Sequence, residues 1–504
     1  MKSRFSVVAL SSLIALAFLV FLMSRGTNET TTHPGGTLLL HCAAGIRVPI
    51  EEIINQYEKK YDVRVETLYS GSGKLLSEIR LNGGAGDLYL AADVSYMEDA
   101  AKYDLIDEVA PIASQSPCIA IREGGVPVSS LADLANENVK LSLADPKIAA
   151  ISRVAKKMLG DARIGDQPAW DVLFEKAIVT RSTVNEVAND IKSGAVDAGI
   201  IWDATAVQAA YEGVKIVRIP EFPPAQKQIS IAVLRKSPEP SRALHFLSYI
   251  TSRDHGLPVF EKSGYTVVQG DQWAESPELT LFTGGLMSPA IEATIDRFEE
   301  REGVTVQIVP NGCGILVAMI RGGEHPDAYF ACDTSFMDMV SDVFREPVDV
   351  SGTEMVLITK KGGNFETLDS IDNLASTDLR LGLCNPKHSA LGDLSKRLLE
   401  SRGQWRGIVE RNMLVDQPST ADRLVESVLF GAMDAAIVYR ANTTRKREQL
   451  NVHSIDDASA EAIQPIAVGI DSKYPLLSQR FLEAIRSGDS RAQFEDLGFE
   501  WLGN

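Results

Sequence analysis

Two short segments of this chain, Ala43-Ala44-Gly45 and Ser70-Gly71-Ser72-Gly73, place glycine beside small side chains where a predicted strand turns into a predicted helix. That combination suits the capture of a compact anion. Free backbone N–H groups at a helix start are hydrogen-bond donors and carry the positive end of the helix dipole. Glycine lets such backbone come close, and serine or threonine adds hydroxyl donors. Ser182-Thr183-Val184, again just ahead of a predicted helix, offers an opposing set. The first candidate ligand-binding residues are therefore Ala44, Gly45, Ser70, Gly71, Ser72, Thr183 and Val184. The substring Gly71-Ser72-Gly73-Lys74 is not a nucleotide-phosphate loop, because Leu68 stands where the first glycine is needed and Leu75 where the Ser/Thr is needed.

The same chemistry returns later in altered form. Gly45, Pro49 and Asp93 recur in register as Gly285, Pro289 and Asp333, and Ser-Gly-Ser-Gly recurs as Asn311-Gly312-Cys313-Gly314. An amide and a thiol thus replace two hydroxyls, and a thiol is a poor donor. Thr283, Ser419 and Thr420 restore part of the hydroxyl count. The second candidate set is Thr283, Gly284, Gly285, Asn311, Gly312, Cys313, Thr420 and Ala421. Cys313 in the loop, Cys332 at a strand end facing the same cleft and Cys384 before Asn385-Pro386 have three open readings: small buried hydrophobes, a Cys313–Cys332 disulfide, or a soft-metal or redox role. Cys42 and Cys118 sit in apolar strand-like runs and read as core. Five cysteines without a Cys-x-x-Cys, and seven histidines without an i, i+4 pair, exclude a disulfide scaffold and a structural zinc site. Asp93 and Asp333 read as braces of a strand-to-helix turn.

The elements that must position these residues also come twice. In each copy a short apolar strand (Leu38–Cys42; Leu279–Phe282) leads through a glycine turn into an amphipathic helix, with Ile50, Ile53, Ile54 and Tyr57 at helical spacing in the first copy. A β-branched strand, the second glycine loop and another helix follow. Strands alternating with helices indicate α/β layers with parallel sheets. Each copy is far longer than a solenoid repeat of about 20–50 residues, so each can bury its own core. The expected division is a signal peptide or membrane anchor at 1–23, a tether at 24–36, a first unit at 37–269, a linker at 270–276 and a second unit at 277–504. The apolar stretch from Phe5 to Met23 behind Lys2 and Arg4 carries the export expectation, with N-terminal membrane contact where it is retained. A net charge of −18 argues against a nucleic-acid partner.

The ordered series resembles the type II periplasmic substrate-binding proteins of ABC transporters, most closely the molybdate/tungstate-binding branch. It comprises the glycine turn after strand one, the Gly/Ser loop after strand two, Asp-x-x-x-Ala-x-Asp (87–93; Asp327 to Asp333), Ser-Leu-Ala-Asp-Leu (130–134), Asp-Pro before a helix (145–146), Ser-Gly-x-x-Asp-Ala-Gly-Ile (193–200) and a closing Gly-Tyr or Gly-Phe (264–265; 498–499). The resemblance covers 37–269 and 277–504. It implies two tandem units, each of two α/β lobes with a ligand cleft at the hinge, no catalytic residues, no cofactor and no metal. It adds Ile151, Trp202, Leu391 and Tyr439 to the candidate site. In molybdate binders the position resembling Trp202 and Tyr439 is a tyrosine; Tyr439 keeps the hydroxyl, and Trp202 donates only through its indole N–H. The implied ligand is a tetrahedral oxyanion, molybdate or tungstate, and the implied partner an ABC permease in an extracytoplasmic setting. Molybdate binders commonly carry a serine in the first turn, where this chain has Ala44-Gly45 and Gly284-Gly285. That departure leaves sulfate, phosphate or a metal ion, or a sensory role, as the alternative on the same fold. No nucleophile–base or paired-carboxylate arrangement supports an enzyme.

Overall fold

The computed structural model describes residues 36–503; the apolar segment 1–23 and the tether up to residue 35 lie outside the described residues. No helix among the described residues is long and apolar enough to cross a membrane. Each repeat folds into two α/β lobes.

In the first unit one lobe holds a six-stranded sheet, ordered Thr266–Val267, Ile106–Gln115, Lys227–Leu234, Leu88–Ala91, Thr37–Ala43, Arg64–Ser70. Thr37–Ala43 runs parallel to both Arg64–Ser70 and Leu88–Ala91, with Ala43 opposite Ser70. The two glycine turns therefore leave the same carboxyl edge of the sheet side by side, where ligands of such sheets are held. The other lobe is a five-stranded sheet, ordered Val214–Val217, Pro117–Arg122, Ala198–Trp202, Leu141–Ala144, Val179–Arg181. Both sheets are mixed, which corrects the expectation of parallel sheets. The chain crosses to the second lobe and returns, so Lys227–Leu234 comes back antiparallel to both of its neighbours.

The second unit repeats this plan with one difference at the hinge. Its strand Val348–Lys360 passes unbroken through both lobes, pairing with Glu461–Val468 along its first half and with Ala435–Tyr439 and Leu450–Ser454 along its second. In the first unit the same crossing is interrupted at Ser116, because Pro117 has no N–H with which to continue a ladder. Ser116 instead donates its N–H to Asp203 Oδ1 at 2.9 Å.

Helix Arg47–Tyr61 buries Ile50, Ile53, Ile54 and Tyr57, the face expected from their spacing, and Ser288–Glu302 buries its counterpart. The two units also touch. Arg301 forms ion pairs with Glu108 and Asp107 across the interface. Asp271 accepts the N–H groups of Leu476 and Leu477 at 2.7 and 3.0 Å, at the start of helix Pro475–Ile485. In the same region Arg480 and Glu302, both nearly fully buried, make a two-pronged pair at 2.7 and 2.9 Å.

Candidate ligand-binding clefts

Where the lobes of the first unit meet, a small cavity is lined by Ala43, Ala44, Gly45, Ser70, Gly71, Ser72, Ala92, Ala149, Ala150, Ile151, Thr183, Val184 and Trp202. The whole first candidate set comes together there, with Ala43 of the first turn beside it; Ala92, Ala149 and Ala150 were not foreseen. The sequence signal for the last two was the Asp-Pro turn ahead of them, which marks a helix start. No charged side chain is among the lining residues.

The cavity is built from helix starts. Helix Ser72–Leu81 begins after Gly71, and helix Ala150–Met158 after Ala149, neither with a side-chain cap. The turn Ala44–Ile46 also lacks one as it leads into Arg47–Tyr61. Uncapped starts leave N–H groups without an intrahelical partner, of which the Gly73 N–H is taken by the opposite lobe. Ser72, which is buried, accepts the Ala92 N–H on its oxygen at 3.2 Å, so its own proton is left to donate. Thr183 is different: its hydroxyl is engaged in a capping box with Glu186, donating to Oε2 at 2.9 Å. Its contribution to the cavity wall is thus not a free hydroxyl, which corrects the donor role expected of it. The closing Gly-Tyr of the unit acts from behind, as Tyr265 donates to the Gly45 carbonyl at 3.0 Å and fixes the first turn.

The two lobes are in direct contact. Gly73 N–H donates to the Ile148 carbonyl of the opposite lobe at 2.9 Å. A Cβ on Gly71 would lie 2.5 Å from that same carbonyl oxygen and 2.9 Å from the Ser182 oxygen. Glycine is required here for close approach and not for an unusual φ, since Gly71 has ordinary extended geometry. The cleft is closed.

The second unit closes likewise, with Gly314 N–H donating to the His388 carbonyl at 3.2 Å. Its cavity is lined by Gly285, Leu286, Asn311, Gly312, Cys332, Ser389, Leu391, Ser419, Thr420, Ala421, Asp422, Tyr439 and Asn442. Thr283, Gly284 and Cys313 of the candidate set do not line it. Thr283 is buried with its hydroxyl turned to the Gly284 carbonyl at 3.2 Å. Gly284 has its side-chain space filled by sulfur, since a Cβ there would sit 2.1 Å from Cys332 Sγ. Cys313 lies behind Cys332, with the two Sγ atoms 2.6 Å apart and the Cys332 N–H donating to Cys313 Sγ at 3.1 Å. Leu286, Ser389, Asp422 and Asn442 were not foreseen. Ser389 was legible in principle, because it immediately precedes a helix and matches Ala149 in the repeat.

The second cavity is also chemically different. Asn311 uses two donors that an anion would need: its carbonyl accepts the Gly285 N–H at 3.2 Å, and its Oδ1 accepts the Gly312 N–H at 2.9 Å. Asp422 brings a carboxylate to the wall where the first unit has Asn185. Tyr439 is buried, and its hydroxyl has no hydrogen-bond partner among the described residues. All five cysteines are free thiols and buried. Burial pushes the Cys313 thiol up, but its contact with the Cys332 thiol and the Cys332 N–H that donates to its sulfur outweigh this and lower it, while Cys332 is pushed well up. Asp93 and Asp333 each accept the N–H of the serine two residues on, so both brace a turn as expected.

The profile of the bacterial extracellular solute-binding proteins matches residues 38–266 and again 279–500. The chain belongs to that family. It carries the family's fold in tandem, and family and fold are those of binding proteins and not of enzymes. A binding protein of Haemophilus influenzae is 28% identical over 229 residues, which is 45% of this chain and 90% of that protein. The molybdate-binding protein ModA of Mycobacterium tuberculosis is 24% identical over 269 residues, 51% of this chain and 98% of that one. Among solved structures, the periplasmic molybdate-binding protein of Azotobacter vinelandii aligns with a TM-score of 0.37 at 18% identity, over 46% of this chain and 100% of its own. Each of these relatives corresponds to about half of this chain, the length of one unit.

Proposed function

We propose that the first unit, 37–269, traps a tetrahedral oxyanion, molybdate or tungstate, and that the chain delivers it to an ABC permease outside the cytoplasm, with the N-terminal segment serving export or anchoring. One observation carries the reading: two uncapped helix starts, the uncapped turn Ala44–Ile46 and the Ser72 side chain line a closed cavity that has no charged side chain. Neutral, fixed donors stabilise an anion without the desolvation that a buried lysine or arginine would require. The small size of the cavity agrees with this. Its walls are backbone and mostly small side chains, which suits four oxygens around one central atom. Substrate-binding proteins of this kind hold a small ligand and dock on permeases, and the kinship with a molybdate-binding protein favours that anion among the tetrahedral ones.

The test is calorimetric titration of the intact chain with molybdate, tungstate, sulfate and phosphate. One site per chain for molybdate or tungstate is expected. Ser72→Ala should weaken it by about 1.5–3 kcal/mol, the value of a hydrogen bond to a charged group. A chain that ignores all four anions refutes the reading.

A further inference from the structure

Four differences between the repeats fall on one spot. Ser72 becomes Cys313, Ala92 becomes Cys332, Ala144 becomes Cys384 and, in strand register, Ala43 becomes Gly284. Cys313 and Cys332 are in contact, and the absent side chain at Gly284 is what makes room for both sulfurs, 2.1 and 3.2 Å from where its Cβ would be. Cys384, also fully buried, approaches from the opposite lobe closely enough to act electrostatically on Cys332 and Tyr439. The remaining wall is polar, with Ser389, Ser419, Thr420 and the unpartnered Tyr439 hydroxyl. The Asp422 carboxylate and the donors taken by Asn311 disfavour a dianion.

We propose that the second cleft binds a neutral, trivalent, thiophilic hydroxide, of which arsenite is the simplest, through Cys313 and Cys332. Soft thiolates select soft centres, and hydroxyl-lined walls suit the hydroxides such a centre keeps; a bare soft cation would leave that polar wall without purpose. Binding is a substitution without redox change. Each thiol sulfur forms a bond to arsenic, one arsenic–hydroxide bond breaks for each, and the thiol proton leaves with the hydroxide as water. Two waters are released, and the third hydroxide stays on arsenic to meet the Tyr439 hydroxyl. Cys313 does not line the closed cavity, so binding requires the lobes to part and the Cys332 side chain to turn aside.

The experiment uses the intact, purified chain. Free thiols are counted in denaturant, then the native protein is titrated with arsenite while protection of thiols from alkylation is followed by mass spectrometry. The lining of the first cleft contains no cysteine, so this readout is separate from oxyanion binding there. Five free thiols and one arsenite per chain, protecting Cys313 and Cys332, are expected. Cys313→Ser and Cys332→Ala install the residues the first unit already has, and each should weaken arsenite by more than about 100-fold, beyond the 10–100-fold typical of groups outside the ligand shell. Tyr439→Phe should weaken it by up to about tenfold. Three results overturn the proposal: a Cys313–Cys332 disulfide in the native protein, no protection by arsenite, or protection by copper(I) with none by arsenite.

Discussion

Gly71→Ala separates folding from closure. Its φ of −67° and ψ of 142° are ordinary for alanine, so the lobe that carries it folds without strain. Replacing glycine also narrows the unfolded ensemble, which stabilises by about 0.4–1 kcal/mol where geometry permits. The added methyl meets only the other lobe: Ile148 O at 2.5 Å, Ile148 C at 2.9 Å and Ser182 O at 2.9 Å. All three are backbone atoms, so no side-chain rotation relieves the contact and the lobes must part. Overpacking of this kind costs about 1–3 kcal/mol. Since only the closed state bears the cost, the apparent affinity falls by the same factor, roughly five- to 150-fold. Calorimetry with molybdate measures the loss, thermal unfolding without ligand tests for an unchanged or higher midpoint, and small-angle scattering with ligand tests for a more open envelope. Affinity within twofold of the parent protein would refute the reasoning, because the Gly71 and Ile148 backbones would then not meet in the bound state.

Three further outcomes are expected. Asp271 is held at about 6 by burial, with Glu302 adding to the rise and Arg480 and the N–H groups of Leu476 and Leu477 opposing it. A raised carboxyl binds its proton more tightly folded than unfolded, so its contribution to stability declines as pH rises from about 4 to about 6 and is flat above; chemical denaturation across that range should show a decline that is absent in Asp271→Asn. Glu302→Gln leaves the buried Arg480 guanidinium without its two-pronged partner and should destabilise by about 3–5 kcal/mol, read from urea unfolding. Tyr265→Phe, which gives the first unit the residue that the second has at Phe499, removes the donor to the Gly45 carbonyl and should weaken oxyanion binding by about 1 kcal/mol while the Cys313 and Cys332 thiols react as before.

The sequence by itself determined the doubling, the α/β class and the elements from which each cleft is made. Those properties are local: the spacing of Ile50, Ile53, Ile54 and Tyr57 fixes a helix face, and a glycine loop after an apolar strand fixes a strand-to-helix turn. The repeat itself transferred each reading from one copy to the other. Tertiary structure alone decided how each donor is used. Thr183 and Ser72 are both small hydroxyl residues at helix starts, yet the first is held by Glu186 and the second is free to donate, a difference set by neighbours three and twenty residues away. It also decided that Lys227–Leu234 runs antiparallel, because the direction of a returning strand depends on where the chain crosses between lobes. Sequence could place Cys313, Cys332 and Cys384 near one cleft; only the packing beneath Gly284 could bring two of the sulfurs into contact, because contact depends on the space a missing Cβ leaves.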